Sequence, residues 1–417
     1  MKHTIIVIGG GAAGMIAAIE AARQKQSVIL IEKNEKLGKK VYITGKGRCN
    51  LTNACEVEEL FPNIVSNPKF MYSSIYGFDN HQTMEYFEHL GVPLKVERGN
   101  RVFPVSDHSS DVIQGLQQEL KRLQVQVCLH TEVADLMLDR TLEDHIFIKG
   151  VCLKSGKTIS CDRVILATGG RSYPATGSTG DGYRMLSKYG HTIRECQPSL
   201  VPFNTEETWC KDVMGLTLKN VQVTLKCGKK ELYQGFGELL FTHFGLSGPL
   251  VLSASAYIGK YYCEPMELIV DLKPALSGEQ LDQRIQRDFV RYQNRQLLHA
   301  LDDLLPKRLI PYIIQSSGIP EDKRVNGITR QERNHIIDAL KALRFHVTGT
   351  RGFEEAIITR GGVHVKEIDP HTMESKLISG LYVAGEVLDV DAVTGGFNLQ
   401  IAWSTGYAAG QAAGLFS

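Results

Sequence analysis

Apolar positions along this chain fall into two rhythms. Short unbroken runs occur at Thr4-Ile5-Ile6-Val7-Ile8, Val28-Ile29-Leu30-Ile31, Val164-Ile165-Leu166-Ala167 and Leu381-Tyr382-Val383-Ala384. Runs of this length predict strands buried on both faces, as in a parallel sheet. Between the first two runs an alanine-rich stretch to Gln24 predicts a helix. Helical spacing recurs over 82–90 and over 111–123, the latter with Ser109 or Ser110 as its N-cap. Residues 100–104 read as a turn or edge strand and 126–130 and 132–138 as strands. Residues 146–149, 150–153 and 158–160 read as a small meander. Ser178-Thr179-Gly180-Asp181-Gly182 is expected to start a helix through Lys188, with Asp181 as its cap or as a ligand contact.

From Ile193 the rhythm changes. Segments 218–227, 239–241 and 268–272 alternate or run apolar, which predicts an antiparallel unit over 193–273. Ser277-x-x-Gln280 and Thr329-x-x-Glu332 read as capping boxes opening helices, and 306–316 has helical spacing, so 274–345 is expected to be a helical insert. Strands return over 345–348 and 355–359. The chain closes with an apolar strand, a glycine loop and a small-residue helix over 401–414. An apolar strand at the far end should join the first sheet. The expected parts are therefore a split α/β domain (1–192 and 355–417), a β unit (193–273 plus 346–354) and a helical domain (274–345).

The chemistry is concentrated where strands end. Gly9, Gly11 and Gly14 form G-x-G-x-x-G between the first strand and the first helix. The first glycine permits the tight turn, the second lets a pyrophosphate approach the backbone, and the third lets helix and strand pack closely. The helix start, with Ala12 and Ala13, offers N–H groups and a positive dipole end to phosphates. Glu32 closes the second strand about eighteen residues after Gly14, where a ribose-binding carboxylate belongs. Together these predict a dinucleotide site. Residues 33–53 read as an ordered, glycine-rich cationic loop that can lie along a bound cofactor, with Lys33, Lys39, Gly45, Arg48, Cys49 and Asn50 as candidate contacts. Lys46 or Arg48 would place positive charge near an anionic group; a solvated turn with surface lysines is the plainer alternative. Val133 is the candidate for a backbone contact to adenine. Thr168, Gly169 and Gly170 return backbone to the pyrophosphate.

Composition narrows the class. A net charge of +1 argues against nucleic acid or an anionic membrane held by bulk electrostatics. With 43% hydrophobic and 22% charged residues the chain reads as an ordinary soluble protein without a membrane span or leader. The nine cysteines contain no C-x-x-C pair, so neither a disulfide framework nor a zinc site is expected, and a cytoplasmic setting is the default. His371 and Glu374 have no further ligand in range, so no metal is expected.

Three further stretches sharpen the picture: Thr44 to Asn53, Phe241-Thr242-His243-Phe244-Gly245-Leu246-Ser247-Gly248-Pro249, and Thr359-Arg360-Gly361-Gly362-Val363. With the amino-terminal glycines, Ala167-Thr168-Gly169-Gly170 and the final Gly385-Glu386…Asp389…Gly395-Gly396-Phe397-Asn398-Leu399-Gln400, the chain resembles the BaiN/RdsA-like family, also called the aminoacetone-oxidase-like FAD-binding family, within the two-dinucleotide-fold flavoproteins. The resemblance spans nearly the whole length. It implies an α/β fold: a split Rossmann-like FAD-binding domain, an inserted antiparallel β-barrel-like domain and a small helical domain. It implies tightly bound FAD, with Gly385, Glu386, Asp389, Gly396, Phe397, Asn398 and Gln400 joining the cofactor set. It also implies substrates that range from amines to enone-type bile-acid intermediates.

In such a protein hydride moves between a small organic substrate and flavin N5, and a helix start at Phe397 to Gln400 stabilises charge at the N1 and O2 edge. NAD(P)H is a candidate reductant, although a second G-x-G-x-x-G unit is absent. His243, Lys46 and Arg48 are the candidate catalytic groups; His243 is an acid/base or merely a loop histidine. Two alternatives stay open. A disulfide-reductase-like protein would use Cys49 and Cys55, but five residues separate them where four are expected, and no His-Pro-Thr-like base motif appears; packing is the plainer role for Cys49. A flavin-binding non-enzymatic or RNA-modification partner is the other. A small-molecule substrate is expected, and the oligomeric state is left open.

Overall fold

Five short parallel strands lie side by side in the order Leu381–Val383, Arg163–Leu166, Thr4–Ile8, Ser27–Ile31, Gln126–Cys128. The computed structural model describes residues 2–140, 142 and 145–415. Ile5, Ile6, Val7, Val164, Ile165 and Leu381 are fully buried, as unbroken apolar runs in a doubly covered sheet require. The strand from the far end of the chain joins this sheet beside Arg163–Leu166. Parallel neighbours need long crossovers. The first is the helix Ala12–Arg23, ten of whose residues are buried.

The last helix, Phe397–Gly414, packs on that first helix through small residues. A Cβ at Gly406 would sit 2.4 Å from the Ala13 carbonyl oxygen, and one at Gly410 would sit 2.5 Å from that of Ala17. Only glycine allows the two backbones this close. Arg163 donates to the carbonyls of Ala412, Ala413 and Leu415 at 2.9, 2.9 and 2.6 Å, which satisfies acceptors left free at the helix end.

Two compact units emerge from the contacts: residues 1–199 with 353–417, and residues 200–352. In the first unit, Ile193–Ser199 pairs antiparallel with Ile358–Val363, so this strand sits with the parallel-sheet unit rather than with the middle of the chain. The expected cationic loop is more regular than its glycine content suggested. It holds the helix Lys39–Ile43, a 3₁₀ turn Thr44–Gly47 and the strand Thr52–Asn53. Neither Ser109 nor Ser110 caps its helix. His108 occupies that position, and the Ser109 hydroxyl donates to the Tyr42 carbonyl at 2.7 Å. Gly180, in a left-handed conformation, precedes the helix Asp181–Lys188, so Asp181 is its first residue and not its cap.

In the second unit six strands close a barrel in the order Phe203–Thr205, Gly245–Ser247, Lys230–Thr242, Thr217–Cys227, Met266–Asp271, Leu343–Thr350. Leu218, Val221, Val223 and Leu225 point inward. The helices Gly278–Arg291, Ile310–Ser317 and Arg330–Lys341 bury Leu281, Ile285, Ile313, Ile336 and Leu340 in the same hydrophobic cluster as the barrel residues Leu268 and Phe345. Both predicted capping boxes form, Ser277 with Gln280 and Thr329 with Glu332. A helix Pro249–Ser255 follows the strand Gly245–Ser247; Gly248 at φ 93° precedes it, and proline suits the first helical position.

Candidate cofactor site

The glycine loop is built as the sequence demands. Gly9 holds φ +106°, and a Cβ there would lie 2.4 Å from the Ala167 carbonyl oxygen. A Cβ at Gly14 would lie 1.8 Å from the Gly9 carbonyl oxygen, so helix and strand touch at that residue. Gly11 differs: a Cβ there would meet nothing within 4 Å. Gly9 and Gly14 serve the fold, and Gly11 leaves open space at a helix start that has no side-chain cap. That is the cradle a pyrophosphate needs. Thr168, at the end of the neighbouring strand, has a buried hydroxyl oxygen with no partner. The site lies at the carboxyl ends of the strands, where the strand order reverses on either side of Thr4–Ile8. These features fit the diphosphate of a dinucleotide.

Glu32 is buried and fixed. One carboxylate oxygen accepts from the Gly10 N–H at 2.7 Å, and the other accepts from the Asn34 backbone and side-chain N–H groups at 2.8 and 2.7 Å. It therefore braces the glycine loop. Asn34 was missed by sequence reasoning, although its place two residues after the acid was a signal. Lys33 binds Asp181 at 2.5 Å and Thr179 at 2.6 Å. Burial pushes the Asp181 carboxyl up, but the Lys33 ammonium, the Thr179 hydroxyl and Arg184 outweigh it and hold the group below its usual range.

Glu386 is the centre of a second network. It accepts from Lys40 at 2.5 Å, from the Ser172 hydroxyl at 2.8 Å and from the Thr359 N–H at 2.9 Å. The Thr359 hydroxyl accepts from the backbone N–H groups of Arg171 and Ser172 at 2.7 and 3.0 Å. Four segments are thus tied around Thr168, Gly169 and Gly170. A Cβ at Gly170 would meet the Thr359 hydroxyl at 2.4 Å, which accounts for this glycine. Lys40, Ser172 and Thr359 were not among the expected site residues; Thr359 opens a stretch already noted for its glycines.

The third cluster joins residues 49–53 to the start of the last helix. Gly385 lies against Ala13, and a Cβ at Gly396 would meet the Thr52 carbonyl oxygen at 2.3 Å. Oriented with its nitrogen toward Val102 and Thr52, the Asn50 amide donates to their carbonyls at 3.3 and 3.2 Å and accepts from the Gly396 N–H at 3.1 Å. Gln400 is buried, accepting from Thr52 and donating to Phe78, Thr83 and Ser404. Asn398 clamps the preceding loop, accepting from the Ala392 N–H and donating to the carbonyls of Ala392 and Val393. Phe397 is buried beside Gly395. No side chain caps this helix, so its first N–H groups and dipole stay available to an anionic edge. Asp389 accepts from Asn67 at 3.1 Å.

Cys49 is wholly buried, and burial pushes its thiol up to about 12; Cys55 is raised to about 11. Neither is a thiolate near neutrality, so neither is set up as an attacking sulfur. A Cys49→Ser protein is expected to keep accepting electrons from dithionite, with any loss arising from packing. A thiolate-to-flavin charge-transfer band that disappears in Cys49→Ser is the result that contradicts this.

The remaining candidates make other contacts. Arg48 donates to Asp107 at 2.8 Å and to Glu97, and its guanidinium lies 4.1 Å from the centre of the Phe103 ring. Its charge is balanced by two carboxylates. Lys46 is exposed at φ +58°. Lys39 pairs with Glu35 at 3.2 Å. Val133 is buried at the start of the strand Val133–Arg140 and pairs with Leu153. His243 belongs to the second unit, exposed in the turn between Lys230–Thr242 and Gly245–Ser247, with its ring 4.9 Å from that of Phe244. Among the described residues, no group of three or more His, Cys, Asp or Glu could hold a metal, and no helix is long and apolar enough to cross a membrane.

Comparison with known proteins agrees with this geometry. The chain is 33% identical to a 3-dehydro-bile acid delta(4,6)-reductase of Clostridium scindens over 99% of both chains. It is 31% identical to a ribosomal RNA dihydrouridine synthase of Haemophilus influenzae, covering 97% of this chain and 96% of that one. Among solved structures, 3-ketosteroid delta1-dehydrogenase from Sterolibacterium denitrificans superposes with a TM-score of 0.53 at 14% identity, over 99% of this chain and all of that one, which speaks to the fold. The family described as the HI0933-like protein Rossmann domain matches residues 3–412. The chain belongs to that family, and is an FAD-dependent oxidoreductase.

Proposed function

We propose that this enzyme reduces a carbon–carbon double bond conjugated to a carbonyl, in a steroid-like or other small organic substrate. The observation that carries this is the full-length similarity to a bile-acid delta(4,6)-reductase. The dihydrouridine synthases named among the relatives point to the same bond type, since the uracil 5,6 double bond is also conjugated to a carbonyl. Reduction of an RNA base is therefore the second reading. The net charge of +1 favours the small molecule, because a protein that grips many phosphates needs a basic surface. Oxidation of an amine runs through the same cofactor in the opposite direction and is the third.

Bound flavin supplies or accepts hydride at N5. The protein residues do the rest. The Gly9 to Gly14 loop and the first helix start would hold the diphosphate, Glu32 the ribose, and the last helix start the flavin edge where charge develops. The proposed proton donor to the substrate is His243, with Lys46 as the reserve. NAD(P)H is the proposed reductant, bound without a second glycine-rich unit. A reducing, cytoplasmic location fits the nine free cysteines.

The first test is the cofactor itself. The protein is expected to purify yellow and to release FAD, not FMN, on denaturation, because FMN lacks the adenosine half that Glu32 and the glycine loop would engage. FMN, or no flavin after reconstitution, contradicts the assignment. Anaerobic mixing with NADH, NADPH, amines and enones, followed by flavin absorbance, then identifies donor and acceptor.

A further inference from the structure

The segment 385–396 runs from the last sheet strand to the start of the last helix. It is tied down along most of its length. Val65 and Ser66 donate backbone N–H groups to the Asp391 carbonyl at 2.8 and 3.3 Å. Asn67 donates to the Asp389 carbonyl at 2.6 Å, and Asn398 brackets Ala392 from both sides. One group in it is left over. The Asp391 side chain has no solvent exposure, and neither carboxylate oxygen makes a hydrogen bond. The nearby Ser199 hydroxyl oxygen is also buried without a partner. Such a carboxylate is costly to keep charged, whereas the neutral acid is far cheaper to bury.

The groups facing Asp391 come from each neighbouring element. They are Ser66 before the 3₁₀ turn Pro68–Met71, Ser199 at the end of its strand, Arg360 on the strand Ile358–Val363, and Asp389 in the same loop. Burial raises the Asp391 carboxyl to about 6; Ser66, Arg360 and Ser199 pull it down, and Asp389 pushes it up. Burial also raises Asp389, against Asn67, Arg360, His364 and Arg194.

We propose that Asp391 is a proton-linked positioning residue for the cofactor. The 385–396 segment closes beneath the last helix with this carboxyl neutral. Ionisation loosens the segment, and with it the helix start that faces the flavin edge. This rests on the FAD reading above. An acid whose value is raised on closure binds more protons closed than open, so closure weakens as pH rises from the ordinary value of 3.8 through about 6 and is level above that.

The test is the FAD dissociation constant of the full-length protein from pH 5 to pH 8, with the wild type, Asp391→Asn and Asp389→Asn compared. The wild type should weaken by about tenfold between pH 5 and pH 7 and then level off. Asp391→Asn should lack that step, while Asp389→Asn should keep it. In parallel, carbon-13 carboxyl resonances of aspartate-labelled protein should show one group titrating near pH 6 that persists in Asp389→Asn and is lost in Asp391→Asn. The same pH step in Asp391→Asn, or no aspartate titrating above the ordinary carboxyl range, overturns the proposal. If Asp391→Asn does not fold, the wild-type and Asp389→Asn titrations decide. A protein that holds no FAD at any pH contradicts the function reading, whereas one that binds FAD with no pH step between pH 5 and pH 7 contradicts this proposal alone.

Discussion

Glu32→Ala will weaken FAD binding by roughly 1.5–3 kcal/mol, the range for hydrogen bonds to a charged group, or about ten- to a hundredfold in dissociation constant. Two effects point the same way. The ribose would lose its acceptor, and the Gly10 N–H, which now donates to Glu32 at 2.7 Å, would lose its own. Glu32→Gln separates them. It keeps one carbonyl oxygen for Gly10 or the ribose and should fall between wild type and alanine. Flavin fluorescence on release measures the constant, and unchanged retention in Glu32→Ala removes this residue from the site.

His243→Ala is expected to keep its FAD and lose turnover, on the order of 10²-fold if the imidazole transfers a proton. Flavin retention is expected because every cofactor candidate belongs to the first unit, whereas His243 belongs to the second. The imidazole is exposed in a short turn, so its loss should not empty a core. Turnover per bound flavin, across pH, is the measurement. A folded, yellow His243→Ala protein with undiminished turnover ends the assignment and leaves Lys46, Arg48 or water as donor.

The legible parts of this chain were those fixed by local rules. Unbroken apolar runs announced the buried parallel strands, and Gly9, Gly11 and Gly14 announced the loop, because their spacing between a strand and a helix is itself the signal. Ser277 with Gln280 and Thr329 with Glu332 announced helix starts for the same reason. What escaped depends on distant partners. Nothing near Lys40 or Ser172 in sequence indicates that both will meet Glu386, far along the chain. Asp391 looks like any loop aspartate until the fold closes over it. The strand Ile193–Ser199 carries no local mark of its partner, which is Ile358–Val363.

The central claim is hydride transfer from bound flavin to a conjugated double bond. Its most direct test is a single turnover without oxygen. The purified protein is reduced with one equivalent of dithionite and mixed with a 3-oxo-4,6-diene steroid, and flavin absorbance is followed while the product is identified by mass. The account predicts reoxidation of the flavin with one saturated bond formed per flavin and, when the reaction is run in D2O, deuterium at the β- or δ-carbon that received the hydride. Flavin that stays reduced against the diene and simpler enones, but is reoxidised by a uracil-containing ribosomal RNA fragment, would contradict the small-molecule reading. Oxidised flavin that amines reduce, in a protein whose reduced flavin enones leave unchanged, would contradict the direction of the reaction.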